Sequence, residues 1–291
     1  MRLPARALGW RTRADFRAAP GVLLVLRQPP APAPPAQGQP PVVAADPAEG
    51  LELLLALADD GQAVGLHGHV DLGTGLATAL AQLAAEELDL PLDRVHMRLG
   101  DTARAPNQGP TIASGSIQSH AAALRQAAAQ ARVWLLGEAA QRWAVEAVAL
   151  QTVDGEVVAP DGRRLAYAEL VAGHHVELML DAATPLKPQA EHRLVGHSVP
   201  RVDLPAKLRG EAAFVHDLRL PGMRHGRVVR PPYAGVDAGD FVGRCLQRVD
   251  EASIGHLAGI EQLVVIGDFI GIPPERMLFT GMAIEIGRAH V

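Results

Sequence analysis

The chain has 291 residues, which at roughly 150 residues per domain suggests about two domains and a sizeable core. It is 48% hydrophobic and 20% charged, with a net charge of −5 and only 3% aromatic residues. These figures exclude the basic footprint and the ring-rich surface of a nucleic-acid binder, and no apolar run approaches the roughly 18–20 residues of a membrane helix. The single cysteine, Cys245, excludes an internal disulfide, a thiolate zinc site and an iron–sulfur cluster, which takes about four thiolates. Any such cluster has to sit on another chain.

Residues 1–17 hold five arginines and no apolar core of leader length, so a cytoplasmic place is expected, with a periplasmic one left open. The apolar stretch 22–26 is short. Residues 28–41 (QPPAPAPPAQGQPP) favour an extended polyproline path and are read as a linker between a short head and the body. Residues 51–57 (LELLLAL) are apolar and short, and 62–72 read as a strand whose glycines let other backbone approach. DLGTG, residues 71–75, then leads into a helix. Leu76, Leu80, Leu83 and Ala84 recur at helical spacing, with Glu86 and Glu87 expected on the other side. Pro91 stops it, and 93–99 alternates as a strand. Residues 117–149 form the longest helical pattern. A hairpin (153–158 with 163–167), a short helix (167–171) and a strand (176–180) follow. A second boundary lies near 183–191. Beyond it, strands are expected at 193–199, 211–216, 225–230, 247–249 and 263–266, around a short helix at 251–256, as a small α+β unit.

Two loops draw attention to chemistry. Gly73-x-Gly75 precedes a helix N-terminus, where backbone N–H groups can face an anion. Thr78 stands where a dinucleotide fingerprint has its third glycine, so a nicotinamide site is disfavoured. The residues alone leave open a phosphate cradle and a plain tight turn, the plain turn being favoured. TIASGS, residues 111–116, brings the hydroxyls of Thr111, Ser114 and Ser116 to the start of another helix. Such a loop hydrogen-bonds phosphates or a pterin edge, or simply caps the helix. His67 and His69 share one face if extended, and are read as satisfied polar or solvent-facing residues rather than metal ligands. Cys245, beside Gly243 and Arg244, is read as incidental.

Taken in order, three blocks carry a resemblance: HVDLGTGLATALAQLAAEELDLPLDRV, GDTARAPNQGPTIASGSIQSHAAALRQAAAQAR and VGHSVPRVDLPAKLRGEAAFVHDLRLPGMRHGRVVRPP. The chain resembles the molybdopterin-binding large subunit of the xanthine dehydrogenase and aldehyde oxidase family, of the isoquinoline 1-oxidoreductase and nicotinate dehydrogenase type, over residues 43–271. The resemblance implies an α+β fold. Residues 1–42 would be the head and linker, and 43–182 the first part of the molybdenum-cofactor-binding domain. Residues 186–272 would form an α/β hammerhead domain, leaving 273–291 unmatched.

It also implies the site. Asp71 stands where the family has a glutamate and Thr74 where it has a glutamine, both with shorter side chains here. Gly73, Thr74 and Gly75, with Ala113, Ser114, Gly115 and Ser116, are the implied cofactor-binding residues, and Asp71 lies on the substrate side. No protein metal ligand is implied, because the dithiolene of the pterin holds the molybdenum, expected in its cytosine dinucleotide form. The implied reaction hydroxylates an N-heteroaromatic or aldehyde carbon with oxygen from water. Electrons leave through iron–sulfur clusters on a small [2Fe–2S] partner subunit, and onward to an acceptor such as a cytochrome c. The family's general base is a glutamate near the end of a much longer chain, and nothing after Gly271 matches that region. The chain is therefore read as an N-terminal fragment that does not turn over substrate alone, its final EIGRAHV as adapter read-through. A non-catalytic pterin-binding or assembly protein is the alternative.

Overall fold

The structure, a computed structural model, describes residues 6–30, 50–211, 214–229, 250–253, 255–257, 259–266 and 282–287. Its contacts divide the chain into two units, Met1–Glu211 and Ala212–Val291.

The first unit is built on a five-stranded mixed sheet. Its strands are β1 (Val22–Arg27), β2 (Glu52–Ala58), β3 (Ala63–His67), β4 (Val95–Leu99) and β8 (His175–Met179), in the order β4-β3-β2-β1-β8. Pairing is antiparallel for β1/β2 and β2/β3, and parallel for β3/β4 and β1/β8. The 22–26 stretch is therefore no part of a detached head. Its five apolar residues are buried on both faces, as a strand with cover on each side requires. Leu23 and Val25 face the helices, whereas Val22, Leu24 and Leu26 pack with Phe16 and Ala19 of the N-terminal segment, which carries helix α1 (Arg13–Ala18).

Helices α2 (Leu76–Leu88) and α3 (Ala121–Trp143) pack on each other and on one face of the sheet. Alanine makes their close approach possible: Ala81, Ala84, Ala85, Ala127, Ala128 and Ala131 are all buried there. The expected helix over 117–149 is shorter and less regular than its pattern. It opens with a wide π turn at Ser116–His120 and ends at Trp143, where Ala144 turns left-handed at φ 53°. The expected hairpin gains a strand, giving the small antiparallel sheet β5 (Gln151–Val153), β6 (Glu156–Val158) and β7 (Arg164–Ala166), followed by α4 (Tyr167–Val171). The strand expected over 62–72 stops at His67.

Glu86 and Glu87 do not face away from the core. They are 3% and 0% exposed. One oxygen of Glu86 accepts the main-chain N–H groups of Arg193, Leu194 and Val195 at 2.6–2.9 Å. Burial pushes its carboxyl up, but those three donors and Lys187 outweigh it and hold it below the ordinary value. Glu87 pairs with Arg125 at 2.8 Å and accepts the Lys187 main-chain N–H at 3.1 Å, while Lys187 pairs with Asp89. Residues 193–199 are thus no strand. The N–H groups of 193–195 are spent on a helix carboxylate, and 183–203 runs as an irregular strap across α2 and α3. A short helix, α5 (Leu204–Leu208), follows it.

The second unit holds a three-stranded antiparallel sheet of β9 (His225–Val229), β10 (Ile260–Ile266) and β11 (Met282–Gly287), in the order β10-β11-β9. Within the described part of the strand expected at 211–216 a single helical turn stands at Val215–Asp217, and of the helix expected at 251–256 one turn is described, at Glu251–Ser253. The strand expected at 247–249, and Cys245, lie outside the described residues.

Candidate cofactor-binding cleft

Helix α2 is the crossover between the parallel neighbours β3 and β4. The loop between β3 and α2 therefore leaves the carboxyl end of a strand, where α/β sheets place their ligand crevices. The first loop is organised by Asp71. Its carboxylate accepts the N–H groups of Gly73 at 2.9 Å, Gly75 at 3.2 Å and Ala77 at 3.1 Å. Burial raises its pKa, but the N–H groups of Ala77, Gly73 and Gly75 prevail and hold it below the usual carboxylate range. Two of the N–H groups at the α2 N-terminus, those of Gly75 and Ala77, are thus met by an anion of the chain itself. Asp71 thereby acts as a loop-holding group whose carboxylate is engaged by the chain's own N–H groups.

Gly73 and Gly75 have φ of 100° and 81°, backbone angles that a side chain strains. From outside, Arg201 donates to the Gly73 carbonyl at 3.0 Å, and a Cβ on Gly75 would stand 3.3 Å from its Nε. Asp203 grips the guanidinium with both oxygens, at 3.0 and 2.7 Å, and Lys207 pairs with Asp203 at 2.6 Å. Hydrogen bonds from Arg201, then Lys207, hold the Asp203 carboxyl far below its ordinary value. Asp71→Ala should therefore destabilise the unit by about 2 kcal/mol and speed amide exchange over 73–77, while Asp71→Asn, which keeps one acceptor oxygen, should recover part of the loss. Unchanged exchange in the alanine variant would contradict this role for Asp71.

The second loop precedes α3. Ala113 and Ser114 are left-handed at φ 52° and 55°, a conformation that costs non-glycine residues about 1–2 kcal/mol each. Such stored strain clusters at ligand sites. Gly115 is buried and donates to the Ile112 carbonyl at 3.0 Å. Two bonds tie the loops together. The Val70 N–H donates to the Thr111 hydroxyl at 3.0 Å, and His69 Nδ1 meets the Ser116 hydroxyl at 2.7 Å.

Between the loops lies a cleft of about 530 Å³. Thr74, Ala113, Ser114 and Ser116 line it, with Thr111 and Gln118. Val70, Leu72, Leu76, Ala79, Ile112 and Ile117 complete the wall, and none of these side chains is ionisable. Four of the seven implied cofactor residues thus converge on one space. Gly73 has open space beside it, while Gly75 and Gly115 sit at the loop bases, both buried. An apolar wall with a few hydroxyls suits a flat, polar-edged heterocycle, and the volume is of the usual size for such a site. Among the described residues no group of three His, Cys, Asp or Glu side chains is placed to hold a metal ion. No helix among them is long and apolar enough to cross a membrane.

The histidines are buried, not solvent-facing. His67 and His69 are each 1% exposed and meet His120 in a cluster of three rings. Burial first, then repulsion from His69 and His120, pushes the His67 pKa down to about 3. His69, Gln108 and Arg201 are site residues that local sequence pattern does not bring to the loops. The signal for His69 is its place between a strand and the glycine loop. Arg201 offers no local signal.

Known proteins share the segment that carries both loops. The model of the molybdopterin cofactor-binding domain matches residues 36–201, more than half of the chain. The chain is 52% identical over 267 residues to a nicotinate dehydrogenase subunit of Pseudomonas putida, covering 91% of this chain and 22% of that protein. It is 32% identical over 235 residues to the beta subunit of isoquinoline 1-oxidoreductase of Brevundimonas diminuta, covering 67% of this chain and 29% of that one. Among solved structures, quinoline 2-oxidoreductase of Pseudomonas putida matches 44% of this chain and 17% of its own at 23% identity, with a TM-score of 0.36. The chain thus spans between a fifth and a third of the two curated relatives. Its matched segment contains both loops of the cleft, and the chain belongs to the molybdopterin cofactor-binding domain family.

Proposed function

We propose that this chain supplies the cleft for molybdopterin in a molybdenum hydroxylase large subunit. The convergence of Thr74, Ala113, Ser114 and Ser116 on one unionisable cleft carries this reading. When bound, the cofactor supplies the redox chemistry that places oxygen from water on an electron-poor carbon. The chain's own part is positional. Asp71 and Arg201 hold the first loop from inside and outside, and Thr111 and His69 fix the second loop against it. Leu72, Ile112 and Ile117 offer apolar surface to the flat faces of a ring system and exclude water from it.

Resemblance and the names of the relatives support the finer reading. The substrate would be an N-heteroaromatic or aldehyde, the cofactor the cytosine dinucleotide form, and the partner a small [2Fe–2S] subunit passing electrons to an acceptor such as a cytochrome c. Residues 186–272 would belong to a hammerhead domain. The general base would be the glutamate that the resemblance implies in a later part of a longer chain.

The test is pterin retention. The chain, purified from a host that makes molybdopterin, should release close to one oxidised, fluorescent pterin per chain. Gly73→Val, which strains the first loop, should lower that by about tenfold. A wild-type chain free of pterin would overturn the reading.

A further inference from the structure

Three imidazoles meet at the foot of the second loop, with ring centroids 4.6–6.4 Å apart. Their partners assign the protons. The Gln108 carbonyl oxygen only accepts, so His69 Nε2, 3.0 Å from it, carries the hydrogen. Nδ1 of neutral His69 then only accepts, and the Ser116 hydroxyl at 2.7 Å must donate to it. By the same logic His67 Nδ1 accepts the His69 main-chain N–H at 3.1 Å, which leaves the His67 hydrogen on Nε2. Gln108 is itself held, because its side chain accepts the Gly68 N–H at 2.7 Å. A side chain on Gly68 would stand 2.2 Å from the Pro106 carbonyl, so only glycine lets the two segments touch.

A hydroxyl has one hydrogen to give and two lone-pair sites to accept. Ser116 has committed its hydrogen inward and presents lone pairs to the cleft it lines. We propose that His69 is a positioning residue that sets Ser116 as a hydrogen-bond acceptor, so that this end of the cleft selects a ligand N–H donor of the amino-lactam kind over a phosphate. This rests on the cofactor-cleft reading above. A phosphate oxygen here would meet lone pairs, and turning the serine round would leave a buried imidazole nitrogen unpaired. The first loop points the same way, since the Asp71 carboxylate already engages the Gly75 and Ala77 N–H groups at the α2 N-terminus.

The experiment is heteronuclear NMR on the uniformly 15N-labelled full chain, titrated with 6-hydroxymethylpterin or with inorganic phosphate. His69 should show the Nε2–H tautomer at neutral pH. The pterin should shift the Ser116 amide, and Ser116→Ala should weaken its binding by about tenfold while leaving that tautomer in place. His69→Leu should narrow the preference for pterin over phosphate. An Nδ1–H or doubly protonated His69 would overturn the proposal and leave the cleft reading intact, as would phosphate shifting Ser116 more than pterin does. If neither probe reaches the loop while the tautomer is as stated, the cleft reading itself fails and takes the proposal with it.

Discussion

Replacing Glu87 with alanine should destabilise the first unit by about 3–5 kcal/mol, because it leaves partly buried cations without their partner. Glu87 is 0% exposed and stands between Arg125 at 2.8 Å and Arg132 at 3.5 Å. It also accepts the main-chain N–H of Lys187 at 3.1 Å, so the change strands a backbone donor as well. In a unit of this size the melting temperature should fall on the order of 10 °C. Arg17→Ala removes a pair with Glu177 in which the arginine is half exposed, and should cost no more than about 1 kcal/mol. Thermal unfolding of the two variants side by side checks the contrast. Equal losses would mean that the Glu87 cluster is no more than surface electrostatics. The strap over 183–203 should loosen first in Glu87→Ala, because polar groups supply many of its attachments: Gln82, Glu86 and Gln126 all hold it by hydrogen bonds to main chain.

Acid should weaken the fold from the histidine range downward. The folded-state pKa of His67 is about 3, against 6.5 for a free histidine. Between those values the unfolded chain binds a proton that the folded chain excludes, so stability rises with pH and is lost as pH falls below about 6.5. One such group contributes a slope of about 1.4 kcal/mol per pH unit. His96 and His120 are also lowered, chiefly by burial, and add to the loss. Below about 4.5, protonation of Glu86 and Glu177, both held low by hydrogen bonds that burial opposes, continues it. Denaturant unfolding from pH 8 to pH 5 should therefore show a falling stability that His67→Asn flattens by about one proton. A wild-type curve that is level across that range would show that His67 is protonated in the folded chain.

Local pattern made the elements nearest the cleft legible. The spacing of Leu76, Leu80 and Ala84 marks α2, and the alternation around Val95 and Met97 marks β4. The glycines of DLGTG and the hydroxyls of TIASGS lie where the cleft forms. What stayed hidden depends on partners far along the chain. Glu86 and Glu87 read as an outer face because Arg125 is 38 residues from Glu87 and Val195 is 109 residues from Glu86. His69 and Ser116 are 47 apart, so neither residue announces the other. The stretch 22–26 reads from sequence only as apolar and short. Only its pairing with β2 on one side and β8 on the other makes it an interior strand of the sheet. Asp71 was legible as part of the motif, but its bonds to the three N–H groups that follow it were not.

Amide exchange compared between pterin-loaded and pterin-free chain tests the central claim most directly. If the two loops make the cofactor cleft, bound molybdopterin should slow exchange over residues 70–79 and 111–118, with little change elsewhere in the first unit. A smaller cleft of about 210 Å³ is lined by Gly68, Asp101, Thr102, Asn107 and Gln108. Protection centred there, or spread away from both loops, would contradict the account.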